Sequence, residues 1–306
     1  MINRRVMLGT AAGAAALLAT VPGIAQDWKS KYPELVFAVI PAENASGVIE
    51  RFTPLTEYLS KDLGVPVKLR IVADYAGVIE GQRGGQIHIG YYGPASYARA
   101  YITGVKIEPF AVEVAADGSK AYHSVFYVKK DSSYQKVEDL KGKNLGLVDP
   151  NSTSGNNVPR FALNEMKIEP DKFFSKVIYT GSHENAIFAL RDGTVDITAN
   201  WWNNEEVSNL KRMETKGLPG IKYGDYRIIY TSAPIVNSPI AYLSDLPEDL
   251  KKATREAFFN ADKNGKAAFD KFSEGKLAPW QPVTHKEYEP VVELIKFVDD
   301  LRKKRS

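Results

Sequence analysis

The run Asn144-Leu145-Gly146-Leu147-Val148 is followed by Asp149-Pro150-Asn151-Ser152-Thr153-Ser154-Gly155, and this change of pattern decides the fold. The apolar run predicts a buried strand, and a helix is predicted from Asn156 to Met166. Three successive hydroxyl residues and a glycine therefore lie at a helix N-terminus, where free backbone N–H groups and the helix dipole favour an anion. The same residues are also typical of an ordinary helix N-cap. Taken alone, the segment fits both interpretations.

Strand-like and helix-like segments alternate on both sides of this hydroxyl loop, which predicts an α/β fold with largely parallel sheets. The predicted strands are 35–40, 67–71, 87–91, 122–128, 144–148, 176–180, 195–199 and 227–232. The predicted helices include 48–61, 75–82, one that starts at Gly93-Pro94, 182–190, 247–262 and 288–301. We expect strand 227–232 to return towards the first set of strands.

Two α/β halves joined by short crossings predict a hinged receptor that holds its ligand in a cleft between two lobes. We place the crossings near Ala115–Ala121 and Tyr230–Ala233. The first lobe is then discontinuous, with residues 26–116 and 233–306, and the second lobe spans residues 117–232.

Residues 1–25 are predicted to be an export signal. Arg4-Arg5 precede a stretch rich in Ala, Gly and Leu, and small residues before Gln26 suit cleavage. The arginine pair fits a twin-arginine signal, and an ordinary secretory signal is the alternative. Either route predicts a periplasmic protein with its signal cleaved. The apolar run is too short to span a bilayer, so we expect no membrane insertion of the mature chain.

Composition excludes several classes of site. The chain has no cysteine, which excludes disulfides, thiolate metal sites and a cysteine nucleophile. Its four histidines, His88, His123, His183 and His285, lack the spacing of a metal cluster, so we expect no metal and no cofactor. Without the six basic residues at its two ends, the chain has 34 basic and 37 acidic residues, and we expect no nucleic-acid partner.

Four segments in this order resemble the periplasmic phosphonate-binding proteins of phosphonate ABC transporters. They are residues 73–81, 91–93, 149–155 with 158–159, and 182–186; residues 115–119, 124–125 and 277–280 add to the match. The resemblance runs from about Leu35 to Trp280. It implies a type II-like periplasmic binding protein fold, a phosphonate ligand and the membrane permease of an ABC importer as partner. We expect a monomer, because hinged receptors dock as single units.

The resemblance also implies a set of ligand-binding residues. Ser152, Thr153 and Ser154 would hold the phosphonate oxygens. Tyr75 and Tyr92 would approach from the opposite lobe, and His183 would be a further donor at a helix start. Such neutral donors suit an anion that must later be released, because their desolvation costs less than that of several arginines.

Each assignment has an alternative that requires no ligand. The two tyrosines are also typical of interfacial aromatic residues, and His183 of a capping histidine. Ser96 either caps its own helix or reaches the ligand. Asn44, in the loop after the first strand, is a similar candidate.

Two departures from the family pattern concern the organic end of the ligand. Members that bind an aminated phosphonate pair its ammonium with the acid of an Asn-Asn-x-Glu segment. Glu206 is the best match here, although Trp201-Trp202 precede the segment and shift its register. Ser238 stands where a second acid is expected. The ligand therefore stays open between an alkylphosphonate and an aminoalkylphosphonate, and the tryptophans would narrow the pocket or form an apolar wall.

Other functions are also compatible with the sequence. A receptor of this kind could bind phosphate or phosphite, or signal to a sensor kinase. A hydrolase would use Ser154 or Ser152 with His183 and an acid such as Asp196. The chain lacks the Gly-x-Ser-x-Gly pattern of a nucleophile elbow, and we expect it not to be an enzyme.

Overall fold

The structure is a computed structural model and describes residues 28–303. The predicted export signal lies outside these residues. Within the described part of the chain, no helix has both the length and the apolar character needed to cross a membrane.

Thirteen strands and twelve α-helices alternate along the described chain. The strands are β1 (Leu35–Val39), β2 (Val67–Ile71), β3 (Ile89–Tyr91), β4 (Ile107–Ala115), β5 (Ala121–Lys129), β6 (Asn144–Leu147), β7 (Lys176–Tyr179), β8 (Ile197–Asn204), β9 (Val207–Ser208), β10 (Tyr226–Thr231), β11 (Ile235–Val236), β12 (Pro239–Leu243) and β13 (Leu277–Pro282). The helices are α1 (Trp28–Lys31), α2 (Ala45–Leu63), α3 (Tyr75–Arg83), α4 (Pro94–Ile102), α5 (Val158–Glu165), α6 (Pro170–Phe173), α7 (His183–Arg191), α8 (Asn209–Thr215), α9 (Glu248–Phe259), α10 (Ala261–Asn264), α11 (Lys266–Ser273) and α12 (Glu289–Lys303).

The strands form two sheets, each the centre of one lobe. The first has six strands in the order β13-β4-β12-β3-β1-β2. The second contains β10-β5-β8-β6-β7, with β11 paired to β5 and β9 paired to β8. The mixed α/β fold is the one that the sequence predicts.

The sheets are mixed in direction, and in this the expectation of largely parallel sheets is wrong. Strand β1 is parallel to β2 and β3, and β6 is parallel to β7 and β8. The other main pairings, including β12 with β3 and β5 with β8, are antiparallel. Strand β10 pairs with β5 in the second sheet, so it does not return to the first set of strands.

The chain passes between the sheets at two neighbouring places. The first passage joins β4 to β5. The second follows β11, which pairs with the start of β5 through Ile235↔Tyr122, so the change of sheet comes a few residues after the expected Tyr230–Ala233. Asn237 holds the two passages together, because its backbone N–H donates to Lys120 and its side chain donates to the Glu113 carbonyl.

The parallel strands end at the cleft. The loops after β1, β3 and β6 lead into α2, α4 and α5, and each loop contributes residues that line the space between the lobes, among them Glu43, Gly93 and Ser152. Such an edge is where open α/β sheets place their ligands.

Helix α12 touches both lobes at the back of the molecule. Its Asp299 binds Arg99 of α4, with Arg99 Nη2 donating at 2.8 Å. The ring of Phe297 packs edge-on against Phe161 of α5, with centroids 5.5 Å apart. Helix α12 therefore joins the first lobe to a helix of the second.

Candidate functional site

A cavity of about 370 Å³ lies between the two lobes. Six of the nine ligand-binding candidates predicted from the sequence line it: Tyr75, Ser152, Thr153, Ser154, His183 and Glu206. Since they come from α3, the hydroxyl loop, α7 and the β8–β9 turn, the fold brings together residues that are far apart in sequence.

The hydroxyl loop is itself helical. Residues Thr153–Asn157 form one π-helical turn that continues into α5, so the helix begins earlier than the predicted Asn156. Ser152 is the N-cap, and its hydroxyl accepts from the Gly155 N–H at 3.1 Å. It also lines the cavity. The cap and the cavity-lining position predicted as alternatives thus belong to the same side chain.

Gly155 is required by close packing beneath the loop. A Cβ at this position would lie 2.3 Å from Cγ2 of Val148, closer than real contacts allow. The loop can press against the end of the strand region only because residue 155 has no side chain. This contact explains the glycine in the Ser-Thr-Ser-Gly run.

The three hydroxyl residues are buried, and each is held differently. The Thr153 hydroxyl accepts from the backbone N–H of Ala95 in the opposite lobe, at 2.8 Å. The Ser154 backbone carbonyl accepts from Ser124 Oγ at 2.7 Å. Burial raises the pKa of the neighbouring Tyr122 to about 12, with the Thr153 and Ser154 hydroxyls acting in the opposite direction. Tyr122 therefore remains a neutral hydroxyl beside the loop.

Tyr75 approaches this loop from the first lobe. It is the first residue of α3, whose N-cap Asp74 accepts from the Gly77 N–H at 2.9 Å. Burial raises the pKa of Tyr75 well above its usual value, while hydrogen bonding to Ser152 acts in the opposite direction. Its hydroxyl therefore keeps its proton and can donate to an oxyanion.

His183 begins α7 and is buried. Its Nε2 lies 3.5 Å from Ser152 Oγ, and its Nδ1 has no hydrogen-bond partner among the described residues. Burial, and then the charge of Arg212, lower the pKa of His183 to about 3. The imidazole is neutral at physiological pH, so it can donate one N–H without adding a positive charge.

The structure does not place Tyr92 at the cavity, which corrects the sequence assignment. Tyr92 is fully buried, and its hydroxyl donates to Gln82 Oε1 at 2.6 Å in the core of the first lobe. The preceding residue, Tyr91, lines the cavity instead. Side chains of neighbouring residues in an extended chain point to opposite sides, so Tyr91 points into the cleft and Tyr92 into the core.

Ser96 and Asn44 also lie outside the cavity lining. Ser96 Oγ accepts from the Gly93 N–H at 3.0 Å and donates to the Gly93 carbonyl at 2.9 Å, so it caps its own helix. Asn44 is the exposed N-cap of α2, and its side chain accepts from Gly47. Its backbone N–H donates across the cleft to Glu184 Oε2 at 2.9 Å. Asn44 therefore joins the lobes without lining the cavity.

The two adjacent tryptophans differ. Trp201 lines the cavity, whereas the Trp202 indole N–H points to the Tyr223 hydroxyl at 3.4 Å in the second lobe. Glu206 is exposed at the turn between β8 and β9, and Ser238 lines the cavity from the first lobe.

Sequence reasoning missed a buried charged group at the cavity. Glu43, only 2% exposed, pairs with Arg51 at 2.5 Å, Lys216 at 3.2 Å and Arg212 at 3.5 Å. Burial alone would raise the pKa of Glu43, but the three cations outweigh it and lower the pKa to about 2. Because Lys216 and Arg212 belong to the second lobe, this cluster links the lobes.

Glu113 was missed as well, because no strand was predicted where β4 lies. It is half-buried and lines the cavity next to Tyr91. Burial raises its pKa, while hydrogen bonding to Tyr91 opposes the rise. The sequence carried no signal for this residue, since an isolated glutamate in an unassigned segment is unremarkable.

Metal binding finds no support within residues 28–303. No group of three or more His, Asp or Glu side chains there is arranged to hold a metal ion. The lining of the cavity contains hydroxyls, a neutral imidazole, five Lys or Arg side chains and four Glu side chains, and its hydroxyls and cations suit an anionic ligand.

Known proteins share both the sequence pattern and the fold. The family model for the periplasmic substrate-binding proteins of phosphonate ABC transporters matches residues 37–288. The phosphonates-binding periplasmic protein of Escherichia coli (strain K12) is 32% identical over 272 residues, 86% of this chain and 76% of its own length. The phosphate-import protein PhnD of Mycolicibacterium smegmatis is 29% identical and covers 93% of both chains.

A solved structure agrees with these relatives. The crystal structure of a binding protein component of an ABC phosphonate transporter from Pseudomonas aeruginosa has a TM-score of 0.77, with 27% identity and 87% of both chains covered. Another, of PhnD1 from Prochlorococcus marinus in complex with methylphosphonate, has a TM-score of 0.73 over 87% of this chain and 98% of its own. At 23% identity it supports the fold alone.

Two α/β lobes enclose a cavity lined by hydrogen-bond donors that suit an anion, and this arrangement defines a two-lobed substrate-binding protein. The family that the chain matches specifies which kind of substrate-binding protein it is. This chain belongs to the periplasmic substrate-binding proteins of phosphonate ABC transporters. In such a system it is the ligand-binding component, which works with a membrane permease.

Proposed function

We propose that this protein captures an organic phosphonate in the periplasm and delivers it to an ABC importer. The observation that carries the proposal is the hydroxyl loop at a helix N-terminus, Ser152 to Ser154, buried in an interlobe cavity opposite Tyr75. Hydroxyl and backbone donors at a helix start are suited to an anion with several acceptor oxygens. We also propose that the export signal is cleaved and that the mature protein is a monomer.

The ligand-binding set that we propose comprises Tyr75, Ser152, Thr153, Ser154 and His183. All five side chains line the cavity and are less than 5% exposed. Tyr91 and Tyr122 supply two further hydroxyls at the same cavity. Because Tyr75, Tyr122 and His183 are neutral, a bound oxyanion would be held by hydrogen bonds that can be broken again on release.

Inorganic phosphate or phosphite is the alternative ligand, and the M. smegmatis relative named as a phosphate-import protein favours it. The size of the cavity supports an organic ligand instead. Its volume of about 370 Å³ lies in the range of pockets that hold small organic ligands.

A hydrolytic role has little support from the geometry. Nδ1 of His183 has no acid partner within the described residues, and Asp196 Oδ2 accepts from the Asn144 backbone N–H instead. A serine nucleophile needs a base that is itself oriented by a third group.

Calorimetric titration tests the proposal. We expect methylphosphonate and larger alkylphosphonates to bind, and sulfate, phosphate and phosphite to bind more weakly. Binding of phosphate alone would support the phosphate-import alternative, and binding of none of these anions would refute the proposed function. Ser154→Ala is expected to weaken phosphonate binding at least about tenfold, because a buried oxyanion loses a donor.

A further inference from the structure

The cavity extends well beyond the hydroxyl loop. An alkylphosphonate with one or two carbons has about six non-hydrogen atoms, whereas a cavity of about 370 Å³ is of a size that holds larger organic ligands. The part not needed for the phosphonate group is lined by Trp201, Arg212 and Lys216 of the second lobe and by Glu43 and Arg51 of the first. The chemistry of these residues bears on the organic arm of the ligand.

Arg212 is held in a fixed position at this part of the cavity. Its guanidinium carbon lies 5.3 Å from the centre of the Trp201 ring. One of its terminal nitrogens, Nη2, donates to Asn209 Oδ1 at 3.1 Å. Stacking on an aromatic face and one hydrogen bond leave the guanidinium pre-organised, so little side-chain entropy is lost when an anion binds.

The hydrogen-bonding capacity of Arg212 is only partly used. Its Nη1 lies 3.5 Å from Glu43 Oε1, which is longer than a good hydrogen bond. Glu43 is already occupied by Arg51 at 2.5 Å and Lys216 at 3.2 Å. The Arg212 Nε–H is buried and has no hydrogen-bond partner in residues 28–303. Because Nε is shielded from the cavity, a further acceptor would use the terminal nitrogens, of whose four N–H donors one is taken by Asn209.

Arg212 lines the same cavity as the hydroxyl loop. Its charge is the second cause, after burial, of the lowered pKa of His183, and both side chains line the cavity. A ligand that fills the cavity from the loop to Trp201 would therefore lie against both Ser152 and Arg212.

We propose that Arg212 is a second anion contact and that the ligand is a phosphonate whose organic arm ends in a carboxylate or another anionic group. This proposal rests on the proposed function and deepens it. A carboxylate is the natural partner, because the planar guanidinium fork binds its two oxygens together. The side-chain exposure of 12% for Arg212 keeps such a contact largely out of solvent.

The alternative ligand is an aminoalkylphosphonate, whose ammonium group would be attracted by the carboxylates of the cavity. Glu206 is exposed at its turn, so an ammonium there would remain in water. Glu113 is half-buried next to Tyr91, and the charges of Arg51 and Arg212 act on it. Those two arginines disfavour a further cation beside Glu113.

A titration series with matched ligands tests the proposal. 3-Phosphonopropionate, propylphosphonate and 2-aminoethylphosphonate have arms of similar length that end in a carboxylate, a methyl group and an ammonium. We expect the wild-type protein to bind 3-phosphonopropionate at least about tenfold more tightly than propylphosphonate, as one charge-assisted contact provides. Equal affinities, or tighter binding of 2-aminoethylphosphonate, would overturn the proposal.

Substitution of Arg212 tests whether this residue causes the preference for the carboxylate-bearing ligand. Arg212→Gln is expected to remove the preference for 3-phosphonopropionate and to change propylphosphonate affinity by less than about threefold, within the range of an uncharged contact. An equal loss for both ligands would show that Arg212 acts only in the lobe contact with Glu43, contrary to the proposal. Arg212→Lys, which keeps the charge without the planar fork, gives a second measurement if the glutamine variant does not fold.

A control arginine and the set of ligands distinguish failure of the proposed function from failure of the role proposed for Arg212. Arg191→Gln removes an arginine of the same lobe that is paired with Asp192 and does not line the cavity, so the preference should persist. If no phosphonate of the series binds, the proposed function fails. If all bind without preference for the carboxylate, only the role of Arg212 is refuted.

Discussion

The hydroxyl oxygen of Thr153 accepts a hydrogen bond from the backbone N–H of Ala95 across the cleft, at 2.8 Å. Ala95 lies in the first turn of α4, where helix N–H groups have no partner within the helix. Thr153 therefore caps a helix of the opposite lobe while it lines the cavity. Contact between the lobes and contact with the ligand depend on the same hydroxyl.

Thr153→Val keeps the shape of the side chain and removes this hydroxyl. We expect phosphonate affinity to fall about tenfold or more, because a buried N–H and the ligand both lose a partner. Titration calorimetry measures the loss, and Thr153→Ser should restore most of the affinity. Unchanged binding by the valine variant would exclude Thr153 from the site.

Tyr75 and Tyr92 should respond differently to loss of their hydroxyls. Tyr75→Phe is expected to reduce phosphonate affinity about tenfold, because a donor facing the oxyanion is lost. Tyr92→Phe should leave affinity unchanged and lower the free energy of unfolding by about 1–3 kcal/mol, because Gln82 Oε1 loses its buried partner. Titration and chemical denaturation of both variants check this pair. A loss of affinity in Tyr92→Phe alone would contradict the structure.

The neutral, buried His183 makes stability depend on pH. Its pKa is about 3 in the folded chain and about 6.5 when unfolded, so the unfolded state binds the additional proton between these values. Stability should therefore fall as pH decreases below about 6.5, by at most about 1.4 kcal/mol per pH unit from this group.

Denaturation of the wild-type protein and of His183→Gln, compared between pH 6.5 and 5, isolates this effect, because the contribution of His88, whose pKa burial also lowers, is common to both. In that window the stability that Glu43 contributes is still largely present, since it is lost only as pH falls from about 4.5 to about 2. His183→Gln should have a flatter pH profile than the wild-type protein. Parallel profiles would show that folding does not lower the pKa of His183.

Gly155→Ala tests the packing beneath the hydroxyl loop. The added methyl would meet Val148 at 2.3 Å, so we expect a loss of about 1–3 kcal/mol in the free energy of unfolding and weaker ligand binding. Gly224→Ala is the matched control, because a Cβ there meets no atom within 4 Å. Equal stability of the two variants would mean that the loop shifts without cost.

The sequence was informative where local rules determine the structure. The strand before Asp149, the Ser182 cap of α7 and the hydroxyl loop are all local patterns, and the structure reproduces them. The choice between Tyr91 and Tyr92 depends on the phase of an extended segment, which a pair of identical residues does not reveal.

The charged part of the cavity depends on contacts between distant segments. Glu43 is paired with Arg51, Arg212 and Lys216, and two of these cations come from the other lobe. Nothing in the neighbourhood of Glu43 in the sequence indicates such partners. The antiparallel halves of the sheets were missed for the same reason, because long-range pairing decides them.

The edge-on contact between Phe161 and Phe297 gives the protein a natural position for an optical reporter. Both rings are partly exposed at the back of the molecule, at 37% and 39%, so dyes attached there would not obstruct the cavity. The chain contains no cysteine, so a single cysteine introduced at either position would be the sole thiol available for labelling. Movement of one lobe against the other would change the surroundings of the attached dye, and the protein would become a fluorescent sensor for its own ligand.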